Sequence, residues 1–305
     1  MRIGYTAQQV RDAEASHLAA GEPLMERASH GLAVRIRELI EARERTLGTL
    51  AAPGGRVLLL VGSGDNGGDA LFAGAELAAG GSEVLAVLTG DHAHEQGLAA
   101  ARDAGVHVMA HDPGMVAESV AILWNGSTVR DHDEVPDVIV DGIVGTGASA
   151  GLRGRAHEIV EAPDVIVDGI VGTGASAGLR GRAHEIVEAL LPQVLPGGGP
   201  QETGAGRELA GAGVLEPAVT SALLSVAPAE RVPAVVAVDL PSGIDPDTGE
   251  TADDVVLPAS LTITFGGVKA GLLRGRGAEL AGEIVLVPIG IEDDLAALSP
   301  AIVLA

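Results

Sequence analysis

The sequence predicts an α/β protein in which helices cover both faces of a mostly parallel sheet, preceded by an N-terminal helical arm. Three observations carry that expectation. Strand-like runs alternate with helical ones along the 305 residues, those runs are apolar throughout, and glycine-rich turns follow several of them. A strand buried on both faces reads as a continuous apolar run, whereas a strand with one wet face would alternate.

Taken in order, residues 6–45 read as two helices broken near Gly21-Glu22-Pro23, with an apolar stripe through Leu24, Met25, Ala28, Leu32, Ile36 and Ile40. Strands are expected at 56–61, 83–88, 106–110, 138–144, 234–238, 261–265 and 283–287. The segment PDVIVDGIVGTGASAGLRGRAHEIVEA occupies 136–162 and recurs unchanged at 163–189. Two copies of a strand–loop–helix unit do not make a solenoid, which needs about three or more, so this reads as a tandem duplication. If both VIVDGIV strands entered the sheet side by side, every later strand would shift by about 4.8 Å, one interstrand spacing. One copy is therefore expected in the sheet and the other looped out or at an edge: copy 2 has the longer helix, continuing into Leu190-Leu191 where Pro163 stops that of copy 1, whereas copy 1 in the sheet would leave the surplus in the slack insertion, so the two stay tied. Residues 192–233, rich in Gly, Pro, Ala and Glu, read as a partly disordered insertion within a single domain spanning 1–305.

Composition narrows the function classes. The aromatic residues are Tyr5, Phe72, Trp124 and Phe265, too few to stack single-stranded bases. A formal charge of −23 and a pI near 4.6 disfavour nucleic acid or an anionic membrane as partner. No run reaches the roughly 18 apolar residues of a spanning helix and the N-terminus lacks a signal-peptide core, so a cytoplasmic protein is expected. Without cysteine, thiol catalysis and cysteine-ligated zinc are excluded. Arginine supplies every other basic position, and Lys269 is the one lysine, which hints that a compact, flexible ammonium is wanted there.

The stretch VLLLVGSGDNGGDA, residues 57–70, runs a buried strand into a glycine-rich turn that opens a helix. Gly62, Gly64 and Gly67 satisfy GxGxxG, the dinucleotide fingerprint, and with Asp91 near the next strand end they allow a dehydrogenase reading. Asp65 and Asp69 oppose it, since carboxylates at a helix N-terminus repel a pyrophosphate. Two further loops lie at carboxyl ends of expected strands: Asp141 to Gly151, or its twin Asp168 to Gly178, and Asp239 to Gly249, reading DLPSGIDPDTG. Ligands of open parallel sheets bind at that edge. Each loop places an acid beside small neutral residues, a donor set suited to a hard cation with oxygen ligands. His92 and His94 are expected on a solvated loop. PSG around Ser242 lacks the GxSxG elbow of a hydrolase.

The segments GSGDNGGDA, DGIVGTGASAGLRG, VDLPSGIDPDTG and TITFGGVKAGLL, in this order, together with the opening PLMERASHGLA, resemble the NAD(P)H-hydrate epimerase family, the YjeF-type N-terminal domain. Asp65 stands where the family pattern has asparagine, and Ala70 where it has glycine. The resemblance implies a three-layer Rossmann-like fold and an isomerase that interconverts the R and S hydrates of NADH and NADPH (NADHX and NADPHX) at C6. A separate dehydratase, which no segment of this chain is expected to supply, would then restore the cofactor. By that resemblance Asp65, Asn66, Gly67, Gly68 and Asp69 contact the hydrate. So do Gly145, Thr146, Gly147, Ala148, Ser149, Ala150 and Gly151, or the twin loop Gly172, Thr173, Gly174, Ala175, Ser176, Ala177 and Gly178, together with Asp239. Asn66, Asp141 or its twin Asp168, and Ser242 would bind one K+ per subunit. Asp239 is the catalytic candidate, either as general acid/base or as an orienting hydrogen-bond partner. A homodimer is the candidate assembly, and a non-enzymatic nucleotide-binding module is the reading from outside enzymology.

Overall fold

The structure, a computed structural model, describes residues 2–47, 54–89, 92–109 and 234–304, the strand segments 138–142 and 165–168, and positions 184, 187, 188 and 191. The helical arm comes first. Thr6 caps α1 (Ala7–Ala19): its Oγ1 accepts from Gln9 N at 3.1 Å while Thr6 N donates to Gln9 Oε1 at 2.9 Å, satisfying two amides that a helix start leaves orphaned. Gly21 adopts φ 75° at the break, and α2 (Leu24–Leu47) begins directly after Pro23. The expected stripe is the buried one: Leu24, Ala28, Leu32 and Ile36 lie against the sheet. His17 fastens α1 to a later helix, α5 (Glu292–Ala296), its ring nitrogens 2.8 Å from both Glu22 and Asp294.

Strands β2 (Arg56–Val61), β3 (Glu83–Leu88), β7 (Ala234–Val238), β8 (Leu261–Phe265) and β9 (Glu283–Val287) have the expected bounds. β4 (His107–Met109) starts one residue later than expected, because Val106 N turns back to Ala101 O at 2.9 Å and closes the end of α4 (Glu95–Asp103); residue 110 lies outside the described residues. A short antiparallel pair, β1 (Arg2–Gly4) with β10 (Ile302–Leu304), carries no periodic signal and was not expected.

The repeat produces the informative topology. β5 (Val138–Gly142, first copy) and β6 (Val165–Asp168, second copy) both pair in parallel with β2 and with β7. Ile139 and Ile166 each oppose Val235, and Asp141 and Asp168 each oppose Ala237. Two strands cannot share one position in a sheet whose neighbours are about 4.8 Å apart, so the copies are alternative occupants of a single slot. Neither is assigned to an edge, as the sequence had allowed. The sheet order is β4-β3-β2-β5-β7-β8-β9, with β6 as the alternative to β5, and every pairing is parallel.

Both faces of the sheet are buried. Leu59, Val61, Val236, Val238 and Ile263 join the core formed with α2 and α3 (Asp65–Ala79), while Leu58, Leu60, Leu85 and Val235, pointing the other way, are also sequestered. Helix and strand approach closely: a Cβ on Gly74 of α3 would lie 2.4 Å from Leu59 Cδ1, so a side chain there would have to displace Leu59 from its packing on β2. The insertion at 192–233 and most of the second repeat copy lie outside the described residues.

Candidate functional site

The carboxyl ends of β2, of the shared slot and of β7 lie side by side, as β2 and β7 both pair with the repeat strand. Three of the loops singled out from the sequence therefore leave one edge together. The first enters α3 with Gly64 as N-cap and no side-chain cap, so the early amides of the helix are not claimed by a capping group. Asn66, in the first turn, donates from Nδ2 to Val238 O at 3.0 Å. That bond ties the first loop to the strand end directly before Asp239, and it leaves Asn66 Oδ1 without a partner among the described residues.

Asp239 carries the strongest local signature. It is the only non-glycine residue with positive φ among those described, at 70°, and it is 4% exposed. A non-glycine residue in the left-handed region costs on the order of 1–3 kcal/mol and persists where the surroundings over-determine it. Here they do. Asp239 N donates to Ile263 O at 2.7 Å, Thr264 Oγ1 donates to Asp239 Oδ1 at 3.0 Å, and Phe265 N donates to the same oxygen at 3.4 Å. Lys269 Nζ also donates to Oδ1. Lys269, 2% exposed, is completed by Thr264 Oγ1 at 3.3 Å and Phe265 O at 3.1 Å, so its three hydrogens meet three acceptors. The lone lysine marked by composition is thus the buried counter-ion of the catalytic candidate, a pairing across 30 residues of sequence that no local pattern announces.

Asp69 behaves differently from the sequence expectation. It is the fifth residue of α3 rather than a first-turn acid, and it is buried behind Ser29 of α2. Burial, then the nearby Asp239 carboxylate, push its carboxyl well above the usual range. Ser29 Oγ donates to Met25 O at 2.6 Å and lies 3.3 Å from Asp69 Oδ1, a contact that offsets part of that rise. Of the two acids, Asp65 is exposed in the first turn whereas Asp69 is buried further along α3, so the two do not oppose a pyrophosphate alike.

Glu14 of α1 was not foreseen. Burial pushes its carboxyl up, opposed by Lys269 and reinforced by Asp239 and Asp65. Ser242, three residues beyond Asp239, is fully buried. Asp245 closes the same loop: burial raises its carboxyl, but the amides of Thr248 and Asp247 donating to Oδ1 outweigh this and hold it low. Asp247 Oδ1 in turn accepts Ala7 N at 2.7 Å, fixing the arm to the loop. His94 is not on a free loop: it caps α4, accepting Gly97 N at 3.1 Å, and meets Phe72 edge-on. Among the described residues no group of three or more His, Cys, Asp or Glu is arranged to hold a metal, and no helix is long and apolar enough to cross a membrane. Asp91, Gly145 to Gly151 and Gly172 to Gly178 lie outside the described residues, and Asp141 and Asp168 are described as backbone positions alone.

The family model described as YjeF-related protein N-terminus matches residues 21–162 and again 157–271, so the first match ends with the first repeat copy and the second, overlapping its last residues, runs through the second copy. A protein of Microbacterium testaceum named NAD(P)H-hydrate epimerase is 38% identical over 99% of this chain and 84% of its own length. One of the same name from Clavibacter michiganensis is 36% identical over 95% and 91%. A Mycobacterium leprae protein named bifunctional NAD(P)H-hydrate repair enzyme is 32% identical over 96% of this chain and 42% of its own length. A yeast crystal structure aligns at TM-score 0.49 and 15% identity, over 91% of this chain and 86% of that one. With the family model covering most of its length, this chain belongs to the YjeF-related protein N-terminus family.

Proposed function

We propose that this chain is an isomerase that epimerises the hydrates of NADH and NADPH at C6 of the nicotinamide ring. The names of its relatives support that reading, and the observation that carries it is Asp239. A carboxylate held in a left-handed backbone, buried and bound through one oxygen, is the kind of outlier that active sites retain. Epimerisation needs the C6–O bond to break with its electron pair leaving on oxygen, that oxygen to be protonated, and water to return on the opposite face with loss of a proton. The iminium-like ring formed between those events is cationic, and an anionic carboxylate beside it would lower its energy. Asp239 is assigned to accept the proton of the returning water, with Asp65 to Asp69 and the GTGASAG loop lining the hydrate.

Potassium belongs to the same reading. Asn66 Oδ1 is without a partner among the described residues, and Ser242 is a buried hydroxyl on the adjoining loop, both oxygen donors suited to a hard monovalent cation. With Asp141 or Asp168 they would hold K+, which when bound supplies a fixed positive charge to orient anionic substrate. A cytoplasmic setting and a separate dehydratase consuming the S hydrate complete the proposal.

The test is epimerisation of purified R-NADHX in potassium buffer, with the epimers separated by chromatography and an Asp239→Ala control. Acceleration that the control loses supports the assignment. A folded protein that accelerates nothing while binding intact nucleotide would favour the binding-module reading instead.

A further inference from the structure

We propose that Lys269 is a positioning residue for this epimerisation: by holding Asp239 through Oδ1 alone, it leaves Oδ2 as the oxygen that meets the C6 hydroxyl. The proposal rests on the functional reading above. Its basis is the one-sided bonding of the carboxylate. Lys269, Thr264 and the amide of Phe265 all converge on Oδ1, whereas Oδ2 has no partner among the described residues. An oxygen saturated by three donors is a poor proton acceptor; its twin, on the same carbon and without a partner among the described residues, is the available one.

Lys269 is itself held from two sides. Val268 O accepts Tyr5 N at 2.8 Å and Ala270 N donates to Tyr5 O at 2.8 Å, so the backbone before and after the lysine is clamped by the residue that leads into α1. The side chain then runs to Asp239 with its three hydrogens spent on Asp239, Thr264 and Phe265, none remaining for a ligand. This bonding separates a positioning role from direct catalysis. Lys269 acts on the substrate only through Asp239.

The experiment is a kinetic double-mutant cycle in potassium buffer with R-NADHX, using the parent, Lys269→Met, Asp239→Asn and the double variant. Lys269→Met should lower kcat roughly 100-fold, the scale of one proton-transfer group, with KM changed less than about threefold. The double variant should be no slower than Asp239→Asn alone. Because the chain has no cysteine, Lys269→Cys can be aminoethylated in denaturant and refolded, which restores an ammonium of nearly the original reach. Recovery of kcat on aminoethylation, and none with a neutral alkyl group, is expected. If Lys269→Met does not fold, Lys269→Arg takes its place, and its forked guanidinium should lower kcat at least tenfold at unchanged KM. A folded Lys269 variant with parental kcat, or additive losses in the cycle, overturns the proposal while leaving the epimerase reading intact. An inactive, folded parent overturns both.

Discussion

At Asp239 two energies oppose each other. Replacing it with glycine would release the left-handed strain, worth about 1 kcal/mol, but would leave the Lys269 ammonium buried without its counter-charge, which costs about 3–5 kcal/mol. The second effect is larger, so Asp239→Gly should lower the unfolding free energy by about 2–4 kcal/mol, and adding Lys269→Met should recover most of it in urea titrations. An Asp239→Gly protein as stable as the parent would show that the pair is not sealed from water. Asp69 gives a prediction of opposite pH sign to an ordinary ion pair. Its folded carboxyl sits well above the reference 3.8, so its contribution is complete below that value and is lost as pH rises through the raised one. Asp69→Asn keeps a donor toward Ser29 and cannot ionise, so the variant should gain stability relative to the parent as pH rises, measured by urea midpoints from pH 5 to 9. A gap between variant and parent that is constant with pH would mean that Asp69 is ionised throughout. Neither the Asp239–Lys269 pair nor the Ser29–Asp69 contact was legible in sequence, since each joins residues at least 30 apart; the lysine was conspicuous only because every other base is arginine.

Among the elements, β2, β3 and β7 could be read because burial on both faces makes them continuous apolar runs that end at a glycine or a polar residue, and β8 and the edge strand β9 because Ile, Val, Leu and Phe still dominate them. β1 and β10 could not, being three residues each and paired only through the fold. β4 was over-read at its start because Val106 is apolar but spends its amide on α4. The slot between β2 and β7 raises a different question, since β5 and β6 fill it in the same register with the same side chains. Nothing in the strands themselves separates the two occupancies in energy, so a mixture is expected. Asp141→Ala and Asp168→Ala should each remove part of the epimerase activity, and the double substitution should remove it all. If one single substitution abolishes activity and the other has no effect, the slot has a fixed occupant chosen by the connecting segments.

Over the whole molecule, the charge of −23 means that any salt should raise the melting temperature by screening self-repulsion. Specific potassium binding adds a second term by mass action, about 2.7 kcal/mol at one hundred times its dissociation constant. Melting should therefore be higher in KCl than in NaCl at equal ionic strength, and Asn66→Ala should close that gap. Equal melting in the two salts would remove potassium from the assignment. The three-loop convergence was legible because the edge of a parallel sheet gathers its loops whatever the side chains. The contribution of α1 through Glu14 was not, because an arm can be recognised by periodicity while its docking partner cannot.

The duplicated unit also has a genetic consequence. Excising 136–162 or excising 163–189 yields one and the same shorter polypeptide, because the copies are letter-for-letter identical. Loss of a copy is thus a single outcome reached by two routes, and neither route removes a strand from the sheet. Either deletion leaves one VIVDG strand to fill the slot between β2 and β7, so the sheet survives the loss of a copy.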